Sequence, residues 1–103
     1  MYELEILPRA VDDMTEIVRY ISHELSNPAS ATALAVELIE TAEKLCEFPY
    51  ACPLHQTIRP LGHEYRRAII RNSLMFYWVD EKSKTVTVAR VIYGKRDCPS
   101  MLN

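Results

Sequence analysis

The feature that most constrains the fold is the stretch Glu64–Asp97, EYRRAIIRNSLMFYWVDEKSKTVTVARVIYGKRD. It is rich in aromatic and β-branched residues and is interrupted by short polar breaks, a pattern typical of consecutive β-strands. We predict three strands and two polar connections here, namely Tyr65–Ile70, Leu74–Val79 and Thr85–Tyr93, joined by a tight turn at Asn72-Ser73 and a loop over Asp80–Lys84.

The residues before this stretch predict one further strand and two helices. Tyr2–Leu7 alternates apolar and acidic residues, as a strand with one buried face does. Apolar residues then recur at helical spacing over Ala10–Leu25 and Ala29–Glu47. Between these helices lies Ser26-Asn27-Pro28, in which Asn27 suits the N-cap and Pro28 the first helical position.

The predicted order of elements is β-α-α-β-β-β, an α+β fold in which a helical hairpin packs on a small, mainly antiparallel sheet. A short link between the helices favours an αα-hairpin, and its shared apolar face needs the sheet as its packing partner. Pro49–His63 contains three prolines and no periodicity, so we predict a surface loop. The length of 103 residues predicts a single domain over residues 1–103.

Composition disfavours several classes of protein. No apolar run approaches the ~20 residues needed to cross a bilayer, and the N-terminus lacks a signal-peptide pattern, so we expect a cytoplasmic protein with no membrane partner. The three cysteines, Cys46, Cys52 and Cys98, form no CxxC motif, and the histidines are scattered. We therefore expect no metal and no cofactor, and we interpret Cys46 as a small buried hydrophobe.

Charge is distributed unevenly along the chain. Residues 1–48 carry three cations and ten acids, a net charge of −7, whereas residues 49–103 carry nine cations and four acids, a net charge of +5. Basic residues at the rim of a sheet suggest a surface for an acidic or nucleic-acid-bound partner. The candidates are Arg66, Arg67, Arg71, Arg90, Lys95 and Arg96.

Each of these cations also has a structural interpretation. Strand alternation places Arg66 and Arg67 on opposite faces, and exposed strand cations discourage edge pairing. Arg90 has the spacing of the predicted core residues of its strand, so a helix acid is a reasonable buried partner for it. The residues that define this spacing are Val86, Val88 and Ile92. Tyr77, Trp78 and Tyr93 could stack on bases, or could pack beneath the helices.

The element order and several phrases resemble the RelE/ParE superfamily of bacterial toxins. The phrases are AVDDMTEIVRYI, EFPYACP, NSLMFYWVDE and VARVIYGKRD, and together they cover nearly the whole chain. The resemblance implies a toxin of a type II toxin–antitoxin system, of the plasmid-stabilisation type, that inhibits growth and is neutralised by a cognate ParD-like or similar antitoxin. ParE-like members inhibit DNA gyrase, whereas RelE-like members cut messenger RNA on the ribosome.

The phrase EYRRAIIRNSLMFY is closer to the ParE pattern. RelE-like nucleases tend to carry an arginine where this chain has Leu74, and they end in a tail with a tyrosine that DCPSMLN lacks. We therefore expect a non-catalytic gyrase inhibitor that binds through its basic residues. Two alternatives stay open, a degenerate non-toxic member and a metal-independent endoribonuclease. The residues that a nuclease would use are Arg96, Lys95 and Arg66 as a phosphate clamp, with His63 or Tyr93 as acid or base.

Overall fold

The computed structural model describes residues 1–54 and 64–94. Its elements follow the predicted order: β1 (Glu3–Ile6), α1 (Pro8–Arg19), a π-helical turn (Tyr20–Glu24), α2 (Pro28–Glu47), β2 (Arg66–Ile70), β3 (Ser73–Asp80) and β4 (Thr85–Tyr93). The predicted α+β fold is confirmed. The two helices pack on one face of a four-stranded sheet whose strand order is β1-β4-β3-β2.

A proline lies in the first turn of each helix. Pro28 begins α2 as predicted, whereas α1 begins at Pro8, two residues before the predicted start at Ala10. The side chain of Asn27 accepts a hydrogen bond from the backbone N–H of Ser30 at 3.2 Å, which is the predicted N-cap. The first helix extends beyond Arg19 as the π-helical turn, so its helical backbone ends one residue before Leu25.

The sheet combines antiparallel and parallel pairing. β2, β3 and β4 form an antiparallel meander, and β1 pairs with β4 in parallel, from Glu3 opposite Thr85 to Ile6 opposite Val88. The connection between β2 and β3 lies one residue earlier than predicted, because Ser73 already pairs with Ile70 and the turn is Arg71-Asn72.

The principal core lies between the helices and the sheet. Leu38 and Ala42 of α2 are fully buried there, against Met75, Tyr77 and Val88 of the sheet. Cys46 is also buried in this core, as predicted. A second, smaller apolar cluster lies on the other face, where Phe76 and Ile92 are buried and contact Tyr65 and Leu74. This second face is called the open face below.

A β-bulge in β4 corrects the predicted register of Arg90. Phe76 pairs with Arg90 but Tyr77 pairs with Val88, so Ala89 is an extra residue with no partner opposite it. The extra residue reverses the alternation of the strand. Val88 therefore faces the helices, while Arg90 and Ile92 lie with Phe76 on the open face.

Within residues 1–54 and 64–94, no helix combines the length and the apolarity that crossing a bilayer requires. The same residues contain no group of three or more His, Cys, Asp or Glu side chains placed to hold a metal ion.

The burial of α2 yields a stability prediction. Leu38→Ala should lower the free energy of unfolding by about 3 kcal/mol, because Leu38 is fully buried and its truncation leaves a cavity. Urea denaturation followed by circular dichroism measures the change. The matched control is Ile39→Ala on the exposed side of the same helix, which should cost less than about 1 kcal/mol. Equal losses for the two variants would contradict this packing.

Candidate functional site

The open face carries one exposed arginine beside an exposed apolar residue. Arg67 pairs across the sheet with Phe76 and is exposed, and Ile69, two residues further along β2, is 72% exposed. Both side chains lie on the open face because strand residues two apart share a face. The part of the sheet surrounding Phe76 therefore offers a cation and an aliphatic group to a partner.

Arg90 is bound by its own chain. Its guanidinium donates two hydrogen bonds to the carboxylate of Asp13 on α1, from Nε at 2.6 Å and from Nη2 at 3.1 Å. The side chains of the two residues are only 13% and 11% exposed. The predicted helix acid is thus Asp13. The hydrogen bond from Arg90 to Asp13 raises the pKa of the guanidinium, so the cation is held in its charged form.

Asp13 also accepts a backbone hydrogen bond at the edge of β4. β1 ends at Ile6, opposite Val88, so the last residues of β4 have no strand on that side. The carboxylate of Asp13 accepts the backbone N–H of Val91 there at 3.0 Å. One helix side chain therefore satisfies both a strand amide and a largely buried cation.

Arg71 occupies the turn between β2 and β3 and reaches back to α2. Its φ of 53° lies in the left-handed region, where residues other than glycine are uncommon. Its Nη2 and Nε donate to a carboxylate oxygen of Glu37 at 2.7 and 2.9 Å. Hydrogen bonding from Arg71 lowers the pKa of Glu37. Because both side chains are well exposed, this ion pair contributes little to stability.

Arg66 faces the helices, opposite to Arg67, as the alternation predicts. Its Nη1 donates to the carbonyl of Cys52 at 2.7 Å, and its guanidinium lies 4.9 Å from the centre of the Tyr50 ring. The hydroxyl of Tyr77 donates to the carbonyl of Pro49 at 2.9 Å. Arg66 and Tyr77 together hold the segment that follows α2 against the sheet.

A polar cluster around Glu81 was not predicted from the sequence. The Glu81 carboxylate accepts hydrogen bonds from the hydroxyls of Tyr2 and Tyr50 and from Nζ of Lys84. These bonds, with that from Lys84 foremost, lower the pKa of Glu81 to about 2, and the bond to Glu81 raises the pKa of Tyr50 to about 12. Only the i,i+3 spacing of Glu81 and Lys84 is visible in the sequence. The tyrosines come from distant segments that only the fold brings together.

The residues predicted for a nuclease do not form one cluster within the described chain. Arg66 pairs with Tyr77, whereas Tyr93 pairs with Ser73 at the other end of β3, which separates them by roughly 13 Å along the strand direction. The Tyr93 ring lies 6.1 Å from that of Tyr20. The other candidates lie outside the described residues, namely His63, Lys95 and Arg96.

The aromatic residues of the sheet divide between core and surface. Tyr77 is fully buried in the main core, as the packing alternative predicts. Trp78 is half-buried on the open face, with its ring edge-on to Tyr65 at 5.7 Å. Apolar side chains are also exposed on the helices, among them Val36 and Ile39, one turn apart on α2.

Comparison with known proteins gives a family and several related folds. Residues 4–98 match the family described as the ParE toxin of type II toxin–antitoxin systems, parDE. The fold resembles the chromosomal ParDE system of P. aeruginosa, with a TM-score of 0.70, 14% identity, and coverage of 92% of this chain and 98% of that one.

Two toxin–antitoxin complexes of the RelBE type also share the fold. The RelBE2 complex from Mycobacterium tuberculosis matches with a TM-score of 0.61 and 17% identity over 89% of this chain and 96% of that one. The intact E. coli RelBE complex matches with a TM-score of 0.59 and 16% identity over 93% and 100%. At these identities, the similarity establishes a common fold and does not separate the two activities.

The buried ion pair predicts a large effect of a single helix substitution. Asp13→Ala should lower the free energy of unfolding by about 3 kcal/mol, because it removes a largely buried carboxylate that accepts hydrogen bonds from the Arg90 guanidinium and from the Val91 amide. Urea denaturation at neutral pH measures the loss. Asp12→Ala, at the exposed neighbouring position, is the control and should change stability by less than about 0.5 kcal/mol. A similar small effect for both would show that the pair carries no stability.

The Glu81 cluster predicts a specific acid dependence. The folded-state pKa of about 2 lies below the ordinary value of 4.5, so the contribution of Glu81 is complete above about pH 4.5 and is lost as the pH falls towards 2. Urea midpoints measured from pH 6 to pH 2.5 should therefore fall less steeply for Glu81→Gln than for the wild type. Glu24→Gln, an exposed control, should retain the wild-type slope.

The same cluster predicts the opposite behaviour at high pH. The pKa of Tyr50 is raised to about 12, so its contribution is complete below the ordinary value of 10 and is lost as the pH rises towards 12. Tyr50→Phe should reduce the loss of stability between pH 9 and pH 11.5, measured by urea denaturation. An unchanged alkaline slope would exclude a hydrogen-bonded Tyr50 hydroxyl.

Proposed function

Because the chain belongs to the ParE toxin family and is the toxin of a type II toxin–antitoxin system, we propose that it acts by inhibiting DNA gyrase. The observation that carries the proposal is the match to the ParE family over residues 4–98. The inhibitor binds its target through a basic surface without catalysing a reaction, and a cognate antitoxin neutralises it. Its action takes place in the cytoplasm.

Arg67 is the described residue best placed to contact the target. Arg90 is held by Asp13, and Arg71 by Glu37, so much of their charge is neutralised within the chain. Arg66 faces the helices and holds the segment after α2. Arg67 instead projects from the open face into solvent.

We assign the target contact to Arg67 together with Lys95 and Arg96, which follow β4 in the sequence and lie outside the described residues. The other three arginines then have a structural role, since they join the sheet to the helices and to the segment after α2, namely Arg66, Arg71 and Arg90. An exposed aliphatic residue beside Arg67, Ile69, adds an apolar contact at the same surface. A cation next to an exposed apolar group suits binding to a protein that presents acidic residues around an apolar patch.

The antitoxin is proposed as a separate partner. The RelBE relatives are complexes of a toxin with its antitoxin, and they match almost the full length of this chain. The exposed apolar residues of α2, Val36 and Ile39, lie one turn apart and suit an amphipathic helix of a partner. The antitoxin and gyrase therefore have different candidate surfaces, one on the helices and one on the open face.

Charge reversal at Arg67 tests the proposed target surface. Arg67→Glu should raise the concentration of purified, antitoxin-free toxin required for half-inhibition of gyrase supercoiling by about tenfold or more, because it replaces an attractive charge by a repulsive one. Arg19→Glu, an exposed arginine at the end of α1, is the matched control and should leave inhibition unchanged. Equal activity of both variants would remove Arg67 from the target surface.

A parallel assay for message cleavage on programmed ribosomes tests the activity itself. Inhibition of supercoiling with intact message is the expected result for the wild-type toxin. Codon-positioned cleavage with unaffected gyrase would overturn the proposal and assign an endoribonuclease activity. Loss of both activities with tight antitoxin binding would identify a degenerate toxin.

A further inference from the structure

A small cavity lies where the beginning of α2 meets the end of the sheet. Its volume is about 190 Å³, which is the share of roughly six water molecules in the liquid. The buried side chains of Ile21 and Leu34 line its apolar part, and the exposed Leu25 lies beside them. A molecule that fills the cavity is therefore small and carries a short apolar group.

The polar part of the wall offers hydrogen-bonding groups that have no partner. Within residues 1–54 and 64–94, the hydroxyls of Ser30 and Tyr93 and the side-chain amide of Asn72 make no hydrogen bond. The side-chain amide of Asn27 uses only its oxygen, which accepts the Ser30 N–H at 3.2 Å. No acidic side chain of the described chain lines the cavity. These unused donors, with no acid among them, favour a ligand that carries an anionic group.

Arg71 supplies the positive charge of the wall. Its Nε and Nη2 both donate to the same oxygen of Glu37, so the N–H groups of Nη1 have no partner within the described residues. The side of the guanidinium formed by Nη1 and Nη2 can therefore hold a carboxylate through two parallel hydrogen bonds. Because Glu37 already balances the charge of Arg71, a singly charged group fits this position better than a doubly charged phosphate.

The backbone conformation of Arg71 suggests that its side chain has a task at this position. Arg71 is the first of the two turn residues between β2 and β3, and its φ of 53° is one that favours glycine there. The exposed ion pair with Glu37 contributes little stability, so it does not by itself explain an arginine in this conformation. Ser26, between the lining residues Leu25 and Asn27, also has a left-handed φ, of 49°. Strained residues of this kind are concentrated at ligand-binding sites.

A buried hydroxyl beside the cavity also lacks a partner. Ser73 is 1% exposed, and its Oγ makes no hydrogen bond within the described residues. Ser73 pairs with Tyr93 across the sheet, so both side chains lie on the helix-facing side, where the cavity is. Because buried hydroxyls are nearly always hydrogen-bonded, this group suits an acceptor oxygen that reaches past Tyr93.

We propose that this cavity binds the ionised form of a small carboxylic acid with a short apolar chain. The guanidinium of Arg71 holds the carboxylate, with further hydrogen bonds from Asn72 and Ser30. The apolar chain lies against Ile21 and Leu34. A free acid and the C-terminal carboxylate of a polypeptide that ends in an apolar residue share this chemistry. The cavity lies on the helix-facing side of the sheet, opposite the open face, so the inference does not depend on the proposed gyrase contact.

Titration of isocaproate into the purified, antitoxin-free toxin, followed by NMR, tests the binding. The backbone amide signals of Ser30, Asn72 and Tyr93 should shift together, with a dissociation constant of about 1 mM or lower. The neutral isocaproamide has the same apolar chain but no charge, and it should bind at least about tenfold more weakly. Equal binding of the acid and the amide, or no shift of these signals up to about 20 mM isocaproate, would overturn the inference.

A glycine substitution tests the role of Arg71 without straining the turn. Arg71→Gly removes the guanidinium but suits the left-handed backbone, so the variant should fold and should raise the dissociation constant of isocaproate by about tenfold or more. Lys84→Gly is the matched control, because Lys84 also has a φ of 53° and pairs with a glutamate, but lies in the connection at the other end of β3. It should bind isocaproate normally. Circular dichroism shows that both variants are folded, and equal affinities of the two would overturn the inference.

Two further probes separate the possible forms of the ligand. Inorganic phosphate in excess should leave isocaproate bound, and its displacement by phosphate would overturn the assignment to a carboxylate. N-acetyl-leucine presents its carboxylate as the end of a polypeptide does. Weaker binding of N-acetyl-leucine than of isocaproate supports the inference with a free acid as the ligand, whereas tighter binding supports it with a polypeptide C-terminus as the source.

Discussion

The carboxylate of Asp13 resolves a mismatch between the lengths of two strands. β4 has nine residues, whereas its parallel neighbour β1 has four. The second half of β4 therefore extends beyond the end of β1 and has no strand on that side. Asp13 on α1 lies beside that half and accepts the Val91 amide. The same carboxylate binds Arg90 just after the bulge. The position of α1, the bulge and the edge of the sheet therefore depend on one side chain.

The internal ion pairs change the meaning of the charge asymmetry. The net charge of +5 in residues 49–103 suggests a broadly basic sheet. Two of its arginines, however, are matched by acids of the helical half, Asp13 and Glu37. Part of the opposite charge in the two halves therefore serves to join the helices to the sheet. Fewer basic residues are therefore available to attract a partner by their positive charge than the sequence suggests.

Local signals account for most of what could be predicted. Hydrophobic periodicity located every strand and helix, and Asn27 and Pro28 marked the start of α2 because capping depends on neighbouring residues. The family resemblance, carried by several phrases together, agrees with the match over residues 4–98. The turn before Ser73 was displaced by one residue, because the left-handed backbone of Arg71 is not visible from residue type.

The features missed by sequence reasoning depend on contacts between distant residues. Ala89 has no sequence feature that marks it as the extra residue of a bulge. Its insertion nevertheless moves the side chains of the later residues of β4 to the opposite face of the sheet. The Glu81 cluster joins Tyr2 and Tyr50, which have no common pattern with it. Likewise, no local signal shows that β1 pairs with β4. The acidic partners of the arginines could be predicted only in part, because the sequence suggested a helix acid for Arg90 but no partner for Arg71.

The parallel pairing of β1 with β4 has a consequence for how the chain folds. β4 lies between β1 and the β2–β3 hairpin, so the first strand has no place in the sheet until the last one exists. Contacts between such distant residues are slow to form, because a long loop must close first. A nascent chain that lacks Thr85–Tyr93 cannot complete this sheet. During synthesis, the open face and the edge of β1 thus arise late and together.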